Sequence, residues 1–317
     1  MEKCIRLSIT LSLIFIIISM YAYFRHAFLH RSVARTRLFV RPQWGLGNRL
    51  RTMSGAFAAA RQLNVDCIIV WQTDTHFPQV LSELYSNIPM TTIVPTSMRK
   101  VVINDKCEYI ASLQQLEQEL PCLIEACAFT ISETDVNRDG FYSWAKLVRS
   151  IKIEIEKYSE KFVTPRLKGI HLRQGDIADA RDGNFFGAWN IKQIRINSAD
   201  DLSCCTDDTT EVELCPSNVD TIDHRLRQIG STDVNDSFWV ATDRIRCIHE
   251  FQRRLAPATV RFIGYFTSHP NLTERDMRLA IIDMYMLSKC AILYTSQISS
   301  FSAEIAVIRK GLGMHSS

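Results

Sequence analysis

The sequence predicts an α/β fold of two doubly wound halves, preceded by one N-terminal transmembrane helix. An uncharged apolar stretch runs from Leu7 to Phe24, and after it short apolar runs alternate with helical patterns. Such alternation implies parallel sheets that are covered by helices on both faces. The chain has 317 residues, of which 46% are hydrophobic, so it can form a sizeable core in one large or two medium domains.

The apolar stretch from Leu7 to Phe24 is just long enough to cross a bilayer as a helix. No convincing cleavage site follows it, which favours a signal anchor over a cleaved signal peptide. We therefore predict a short cytosolic tail (1–6), a transmembrane signal anchor (7–24) and a short basic linker (25–37).

Features of the sequence conflict over the orientation of the predicted anchor and over the compartment of the body. The basic residues after the apolar stretch favour a cytosolic body, whereas ten cysteines and two N-glycosylation sequons favour a lumenal one. We predict a single-pass type II membrane protein of the Golgi or ER lumen. The Arg-rich, acid-poor N-terminus leaves another organelle as the alternative.

Charge and cysteine spacing limit the partners. The net charge of +3 is small for a nucleic-acid binder, so no nucleic-acid partner is predicted. Neither cysteine group contains a CxxC pair, so disulfides fit them better than zinc does. The two groups are Cys107, Cys122 and Cys127, and Cys204, Cys205 and Cys215.

The first half is predicted to be a Rossmann-like domain over residues 38–160. It opens with a strand at Arg37 to Arg41 and a helix at Asn48 to Leu63, whose apolar residues recur at helical spacing. Further strands are predicted at Cys67 to Trp71, Lys100 to Ile103 and Leu123 to Phe129, and a helix at Gly140 to Ser159.

The second half is predicted to be another Rossmann-like domain, over residues 166–317, after a boundary at Pro165. The predicted strands are Leu167 to Leu172, Phe238 to Thr242, Val260 to Gly264 and Ala291 to Thr295. The predicted helices are Ile245 to Leu255, Glu274 to Lys289 and Ser302 to Lys310. Folds of this class bind ligands outside the carboxyl ends of their strands, so the segments that follow strands are the candidate sites.

The first candidate segment is Gly45-Leu46-Gly47-Asn48-Arg49, which follows the first strand and opens a helix. Glycines let the backbone approach a ligand, and a helix N-terminus favours negative charge. The segment lacks the third glycine of a dinucleotide fingerprint and the Lys-Ser/Thr pair of a P-loop. A tight strand-to-helix turn without a ligand is the alternative.

The second candidate segment is Gly169 to Asp176, where a strand delivers His171 and Arg173 to one face. The arginine side chain suits phosphate recognition because its fork is planar and permanently charged. Singly, a structural histidine and a turn-capping Asp176 are the alternatives.

The third candidate is a pair of strand ends. Asp243 could accept hydrogen bonds from a base or ribose, and Ser300 and Ser302 stand where a helix N-terminus would hold phosphate. Capping of the helices is the alternative for each residue taken alone.

Taken in order, these segments resemble the fucosyltransferase superfamily, which has a GxGNR turn, an HxRxxD strand end, an ATD strand end and an SSFS helix start. The corresponding segments here are Gly45–Arg49, His171–Asp176, Ala241–Asp243 and Ser299–Ser302, which together extend over nearly all of the body. The resemblance implies a GT-B-like fold, with two Rossmann-like domains and the donor in the cleft between them. It also implies inverting transfer of fucose from GDP-fucose to a glycan or glycoprotein acceptor, without a metal or other cofactor.

The resemblance also implies roles for individual residues. Arg173 would bind the diphosphate and stabilise the leaving group, His171 and Asp176 would support it, and Asp243 would contact the guanosine. The segment Ser300, Phe301 and Ser302 would hold phosphate and wall the base or fucose. The segment Gly45, Gly47, Asn48 and Arg49 would face the donor sugar or acceptor from the first, acceptor-side half, with Asn48 as a second catalytic candidate.

The chain departs from the family pattern at Gln174, where many relatives have a second arginine. This leaves two alternatives open: a GT-B transferase that uses another nucleotide sugar, and a catalytically silent, membrane-anchored protein that binds glycan or GDP.

Overall fold

The computed structural model describes residues 37–74, 77–93, 98–103, 110, 112–127, 129, 131, 137–172, 222–242, 245–264, 273–295 and 299–314. The predicted transmembrane stretch, tail and linker up to residue 36 lie outside these residues. Within the described ranges no helix is long and apolar enough to cross a membrane.

The first half contains a five-stranded sheet, in which every pairing is parallel. Its order is β3-β2-β1-β5-β4, and its central strand β1 is apolar over three buried residues, Leu38 to Val40. The strands are β1 (Arg37–Pro42), β2 (Asp66–Val70), β3 (Met90–Thr91), β4 (Arg99–Ile103) and β5 (Cys122–Ala126). The helices of this half are α1 (Leu46–Gln62), α2 (Leu113–Glu119), α3 (Asp139–Trp144) and α4 (Arg149–Phe162), with a 3-10 turn at Leu81–Glu83.

The second half contains a four-stranded parallel sheet of order β8-β7-β6-β9. Its strands are β6 (Leu167–Leu172), β7 (Ser237–Thr242), β8 (Thr259–Arg261) and β9 (Ile292–Tyr294). Its helices are α5 (Ile222–Ile229), α6 (Ile245–Arg254), α7 (Glu274–Ser288) and α8 (Ser300–Gly311). Two parallel α/β sheets therefore follow each other along the chain, as the alternation of patterns predicts.

The helix α8 links the two halves. It belongs to the second half by sequence, yet it packs against α1 and α3 of the first half as well as against α7. Within this contact the fully buried Glu304 pairs with Arg138 and accepts a hydrogen bond of 2.5 Å from the hydroxyl of Tyr142. Arg138 also donates to the hydroxyl of Ser54 on α1. The halves are thus joined by a buried polar network as well as by apolar packing, and the predicted boundary between residues 160 and 166 remains a prediction.

The predicted helix from Gly140 to Ser159 is wrong as one continuous helix. The structure has α3 and α4 there, separated by Ala145 to Val148. Backbone hydrogen bonds to the segment 84–87 explain the break, because Ser86 donates to the Lys146 carbonyl and Val148 donates to the Leu84 carbonyl. Tertiary pairing therefore overrides the local helical pattern at these four residues.

Three of the described cysteines make no disulfide bond. Cys67, Cys122 and Cys290 are free thiols in the structure, which gives Cys122 no disulfide. Burial raises the pKa of Cys122 to about 11, so its thiol is protonated at neutral pH. The remaining members of the two cysteine groups are Cys127, whose pairing stays open, and Cys107, Cys204, Cys205 and Cys215, which lie outside the described residues.

Candidate functional site

The N-termini of helices α1 and α8 meet where the two halves face each other. Gly47, in the first turn of α1, makes this approach possible. A Cβ atom at this position would lie 2.5 Å from the backbone nitrogen of Phe301 and 2.7 Å from the Oγ of Ser300. Real Cβ atoms do not approach other atoms so closely, so the contact requires glycine. Two predicted segments, far apart in sequence, therefore form one site.

Neither helix N-terminus is neutralised from within the described residues. Gly45 caps α1 and Ser299 caps α8, both without a side-chain hydrogen bond, and neither helix has an acidic residue in its first turn. The first N–H groups of a helix carry partial positive charge, equivalent to roughly half a unit charge per helix. Two such ends in contact favour an anion between or beside them.

Ser299 adds an unused hydrogen-bonding group at this point. Its side chain is buried, and its Oγ has no hydrogen-bond partner within the described part of the chain. A buried hydroxyl without a partner is unfavourable by about 1–3 kcal/mol, which a ligand oxygen could relieve. Ser299 opens the SSFS segment, yet only Ser300, Phe301 and Ser302 of that segment were predicted as site residues.

His171 reaches the same site from the end of β6. The period of two along the strand places Leu167, Gly169 and His171 on one face, and Gly169 is packed against α7 and β9 through Leu287 and Leu293. The Nδ1 atom of His171 lies 2.7 Å from the Oγ of Ser302, and its ring stacks on Phe301 with a centroid separation of 4.6 Å. The structure thus brings together His171, Ser300, Phe301, Ser302 and Gly47.

Arg49 has a different environment from the one expected of a donor-binding residue. Its guanidinium is 1% exposed and lies 4.9 Å from the ring centroids of both Trp71 and Phe77. It donates to the carbonyls of Trp44 and Gln72 and to the carboxylate of Asp74, at 2.7, 2.9 and 2.6 Å. These contacts tie the turn after β1 to the loop after β2, so Arg49 holds loops in place in this structure. Contact with the donor remains a prediction.

Burial lowers the pKa of Arg49, while the neighbouring carboxylate of Asp74 opposes that shift. The second oxygen of Asp74 accepts a hydrogen bond of 2.8 Å from the backbone of Phe77. Both carboxylate oxygens of Asp74 are therefore engaged in fixing this loop. Sequence reasoning missed Asp74, since a lone acidic residue after a strand carries no distinctive signal.

The other two residues of the GxGNR segment are more accessible. Gly45 is exposed and has nothing within 4 Å of the position that a Cβ would occupy. Asn48 is half-buried in the first turn of α1. Both can be reached by a ligand that lies against the N-terminus of α1.

Three predicted site residues, Arg173, Asp176 and Asp243, lie outside the described residues. The strands that lead to them are described: β6 ends at Leu172 and β7 ends at Thr242, and these two residues are paired in register. The chain therefore leaves both strands at the same edge of the sheet, toward which ligands of this fold class bind. The roles of the three side chains remain predictions.

Among the residues that the structure describes, no cluster of three or more histidine, cysteine or acidic side chains could hold a metal ion. Independence of metal remains a prediction that an experiment with a chelator can test.

Comparison with known proteins gives a match in structure only. No protein-family model matches the sequence, and no curated protein matches it. Among solved structures, NodZ alpha-1,6-fucosyltransferase co-crystallized with GDP matches with a TM-score of 0.53 at 12% identity, over 86% of this chain and 92% of that one. Se-Met fucosyltransferase NodZ from Bradyrhizobium matches with a TM-score of 0.51 at 13% identity, over 86% of this chain and 91% of that one. POFUT1 in complex with GDP-fucose matches with a TM-score of 0.51 at 13% identity, over 90% of this chain and 96% of that one.

The chain has a fucosyltransferase-like fold. The match extends over most of this chain and nearly all of each known structure, so it includes both halves. At 12–13% identity the likeness establishes the arrangement of the chain alone. This confirms the predicted α/β class with two parallel sheets, consistent with a GT-B-like arrangement.

Proposed function

We propose that this protein is a glycosyltransferase that transfers fucose from GDP-fucose to a glycan or glycoprotein acceptor, with inversion and without a metal. The observation that carries the proposal is the contact between two helix N-termini that have no side-chain cap hydrogen bond, at Gly47 of α1 and Ser300 and Phe301 of α8. A nucleoside diphosphate supplies the negative charge that this junction lacks.

The choice of donor is supported by the structural neighbours. Solved structures with the same fold include NodZ soaked with GDP-fucose and POFUT1 in complex with GDP-fucose. The proposal extends that ligand to this chain because two helix N-termini meet beside His171 and Ser302, and helix N-termini favour anions.

The reaction would proceed as a direct displacement. An acceptor oxygen forms a bond to the anomeric carbon of fucose as the bond to the β-phosphate oxygen breaks, and the acceptor hydroxyl loses its proton. GDP leaves with increased negative charge, so groups fixed around its phosphates lower the barrier. Here those groups are the N–H groups at the start of α8, the buried Ser299 hydroxyl and Arg173, which directly follows β6 in sequence.

The surroundings of the reaction form part of the same proposal. A type II anchor at residues 7–24 would hold the body in the Golgi or ER lumen, where glycan acceptors are found. The first half would then present the acceptor side and the second half the donor side.

The proposal is tested by a thermal shift of the purified chain with GDP, GDP-fucose, UDP and ADP, with and without EDTA. A ligand at 100 times its dissociation constant stabilises a protein by about 2.7 kcal/mol, which such a measurement resolves. We expect a shift with GDP and GDP-fucose only, unchanged by EDTA and lost in Arg173→Ala. A folded protein with no shift would overturn the donor assignment. A shift with UDP alone would leave the fold assignment unchanged and would replace GDP-fucose by a UDP-sugar as the proposed donor.

Release of GDP from GDP-fucose separates an enzyme from a silent binding protein. Binding of GDP-fucose without any turnover would favour the non-enzymatic alternative, to which Gln174 in place of a second arginine points. In that case Gln174→Arg is the informative variant, since gain of turnover would identify the missing phosphate contact.

A further inference from the structure

The turn between β1 and α1 holds a tryptophan in a backbone conformation that bulky residues rarely adopt. Trp44 has φ of 71°, in the left-handed region, and it is 36% exposed. Glycine, asparagine and aspartate are the residues that normally occupy this region. A tryptophan there is unfavourable for the backbone, and about a third of its surface is exposed.

Arg49 holds the backbone of Trp44 in this conformation. The Nε of the buried guanidinium donates to the carbonyl of Trp44 at 2.7 Å, while Nη1 and Nη2 hold Gln72 and Asp74 of the loop after β2. The guanidinium is itself held against the rings of Trp71 and Phe77. A backbone strained in this way persists only where its surroundings determine it, and such sites concentrate at ligand-binding positions.

Trp44 stands next to the site already described. It immediately precedes Gly45, the residue that caps α1, and Gly47 two residues later contacts Ser300 and Phe301 of α8. Asn48, which is half-buried, lies in the first turn of the same helix. Trp44 and Asn48 therefore belong to the short segment that forms the α1 side of the helix junction.

Resting on the proposed function, we propose that Trp44 is a stacking platform for a pyranose ring of the acceptor and that the Asn48 amide bonds a hydroxyl of that ring. Arg49 is then a positioning residue that holds the platform. An indole offers a large rigid apolar face with few rotatable bonds, which suits the C–H face of a sugar. Stacking of the acceptor ring assigns the first half to acceptor recognition, while the diphosphate occupies the N-terminus of α8 in the second half.

The test uses the full chain with GDP-fucose and three probe acceptors, the p-nitrophenyl β-glycosides of N-acetylglucosamine, galactose and glucose. The variants are Trp44→Gly, Trp44→Ala and Trp44→Phe. Phe262→Ala is the matched control, because Phe262 is exposed to a similar extent, 37%, and lies beyond β8 in the second half. KM for the glycoside, kcat, the dissociation constant for GDP and the unfolding midpoint are measured for each.

We expect Trp44→Gly and Trp44→Ala to raise KM for the best probe by about tenfold, equivalent to about 1.4 kcal/mol, with kcat retained and GDP affinity within about twofold. Trp44→Phe retains a ring and loses less. Trp44→Gly unfolds at a temperature equal to or above that of the wild type, since glycine removes the backbone strain. Arg49→Lys raises KM in the same way, because lysine cannot make the three-way contact.

Several results would overturn the inference while leaving the proposed function intact. One is that the wild type transfers fucose and Trp44→Ala leaves KM for the glycoside unchanged. Another is that Phe262→Ala raises this KM as much as Trp44→Ala does. A third is that Trp44→Gly unfolds at a lower temperature than the wild type. No binding or use of any of the three glycosides by a wild type that binds GDP-fucose also overturns it. Failure of the wild type to bind GDP is the separate result that overturns the proposed function.

Discussion

Replacement of Gly47 by alanine should separate the two helix N-termini on which the proposed donor site depends. The added Cβ would lie 2.5 Å from the backbone nitrogen of Phe301, whereas ordinary contacts begin at 3.4 Å. The difference, about 0.9 Å, must be absorbed by movement of the α8 backbone, because backbone atoms cannot rotate away. A misplacement of about 1 Å at a reacting centre reduces turnover on the order of 100-fold.

The stability of Gly47→Ala should change much less than its activity. Overpacking costs about 1–3 kcal/mol, and the higher helix propensity of alanine returns about 1 kcal/mol. We therefore expect a net loss of roughly 0–2 kcal/mol in the free energy of unfolding, measured by urea titration, so the variant folds. GDP release from GDP-fucose, measured on the folded protein, should fall by one to two orders of magnitude, that is, about 10- to 100-fold.

Gly55→Ala provides the matched control. Gly55 lies two turns further along α1, and its added Cβ would meet the carbonyl oxygen of Phe129 even more closely, away from α8. This variant should lose more stability than Gly47→Ala and retain GDP affinity and turnover in its folded fraction. If the two variants lose turnover in proportion to their loss of stability, the helix junction has no special role and the reasoning is refuted.

Three further predictions concern buried polar groups. Burial raises the pKa of Asp283, which accepts a hydrogen bond from Trp239, from 3.8 to about 8. The unfolded chain therefore loses this proton first, and the free energy of unfolding should fall by up to about 1.4 kcal/mol per pH unit between those values. Urea titrations against pH should show a flatter profile in Asp283→Asn, and an unchanged one would contradict the assignment. Glu304→Leu should cost about 3–5 kcal/mol because it removes the carboxylate that pairs with the buried Arg138, and adding Arg138→Met should recover part of it; additive losses in a double-mutant cycle would argue against the pair. Ser299→Ala should raise the melting temperature without ligand and reduce the shift with GDP; the reverse pattern would show that the hydroxyl is already satisfied.

The sequence predicts secondary structure best where the local pattern of apolar residues has one physical explanation. The run Leu167 to Leu172 is predicted as a strand with the bounds that the structure has, because its apolar residues are buried on both faces. Helices α1, α6, α7 and α8 are predicted within one or two residues at most of their termini. Strong periodicity and clear flanking residues determine these elements locally.

Elements that depend on tertiary contacts are harder to predict. The helix α2 is short, with one buried residue, Leu116, and the two-residue strand β3 exists only through its pairing with β2. Neither produces a periodic pattern in the sequence. The break between α3 and α4 likewise depends on hydrogen bonds to residues about sixty positions away in the sequence.

At the candidate site, the sequence predicts where residues lie better than it predicts what their side chains bind. Gly47, His171 and Ser302 lie together as their motifs predict, since glycine and strand-end positions dictate location. The environment of Arg49 was not predictable, because a guanidinium suits a phosphate and a set of carbonyls equally well. Only the positions of Trp44, Gln72 and Asp74 show which of these it holds.

The contact between Gly47 and Ser300 also constrains how the protein is made. The two residues are 253 positions apart, so at a synthesis rate of about 5–20 residues per second α1 waits roughly 13–50 s for α8 to be synthesised. During that interval the first sheet can form, since all five strands lie before residue 127. The face of α1 that α8 later covers, which includes Gly47, remains exposed to other chains and to chaperones. The junction of the two helix N-termini is therefore one of the last parts of the molecule to form, and a nascent chain paused between the halves would have its first sheet and no helix junction.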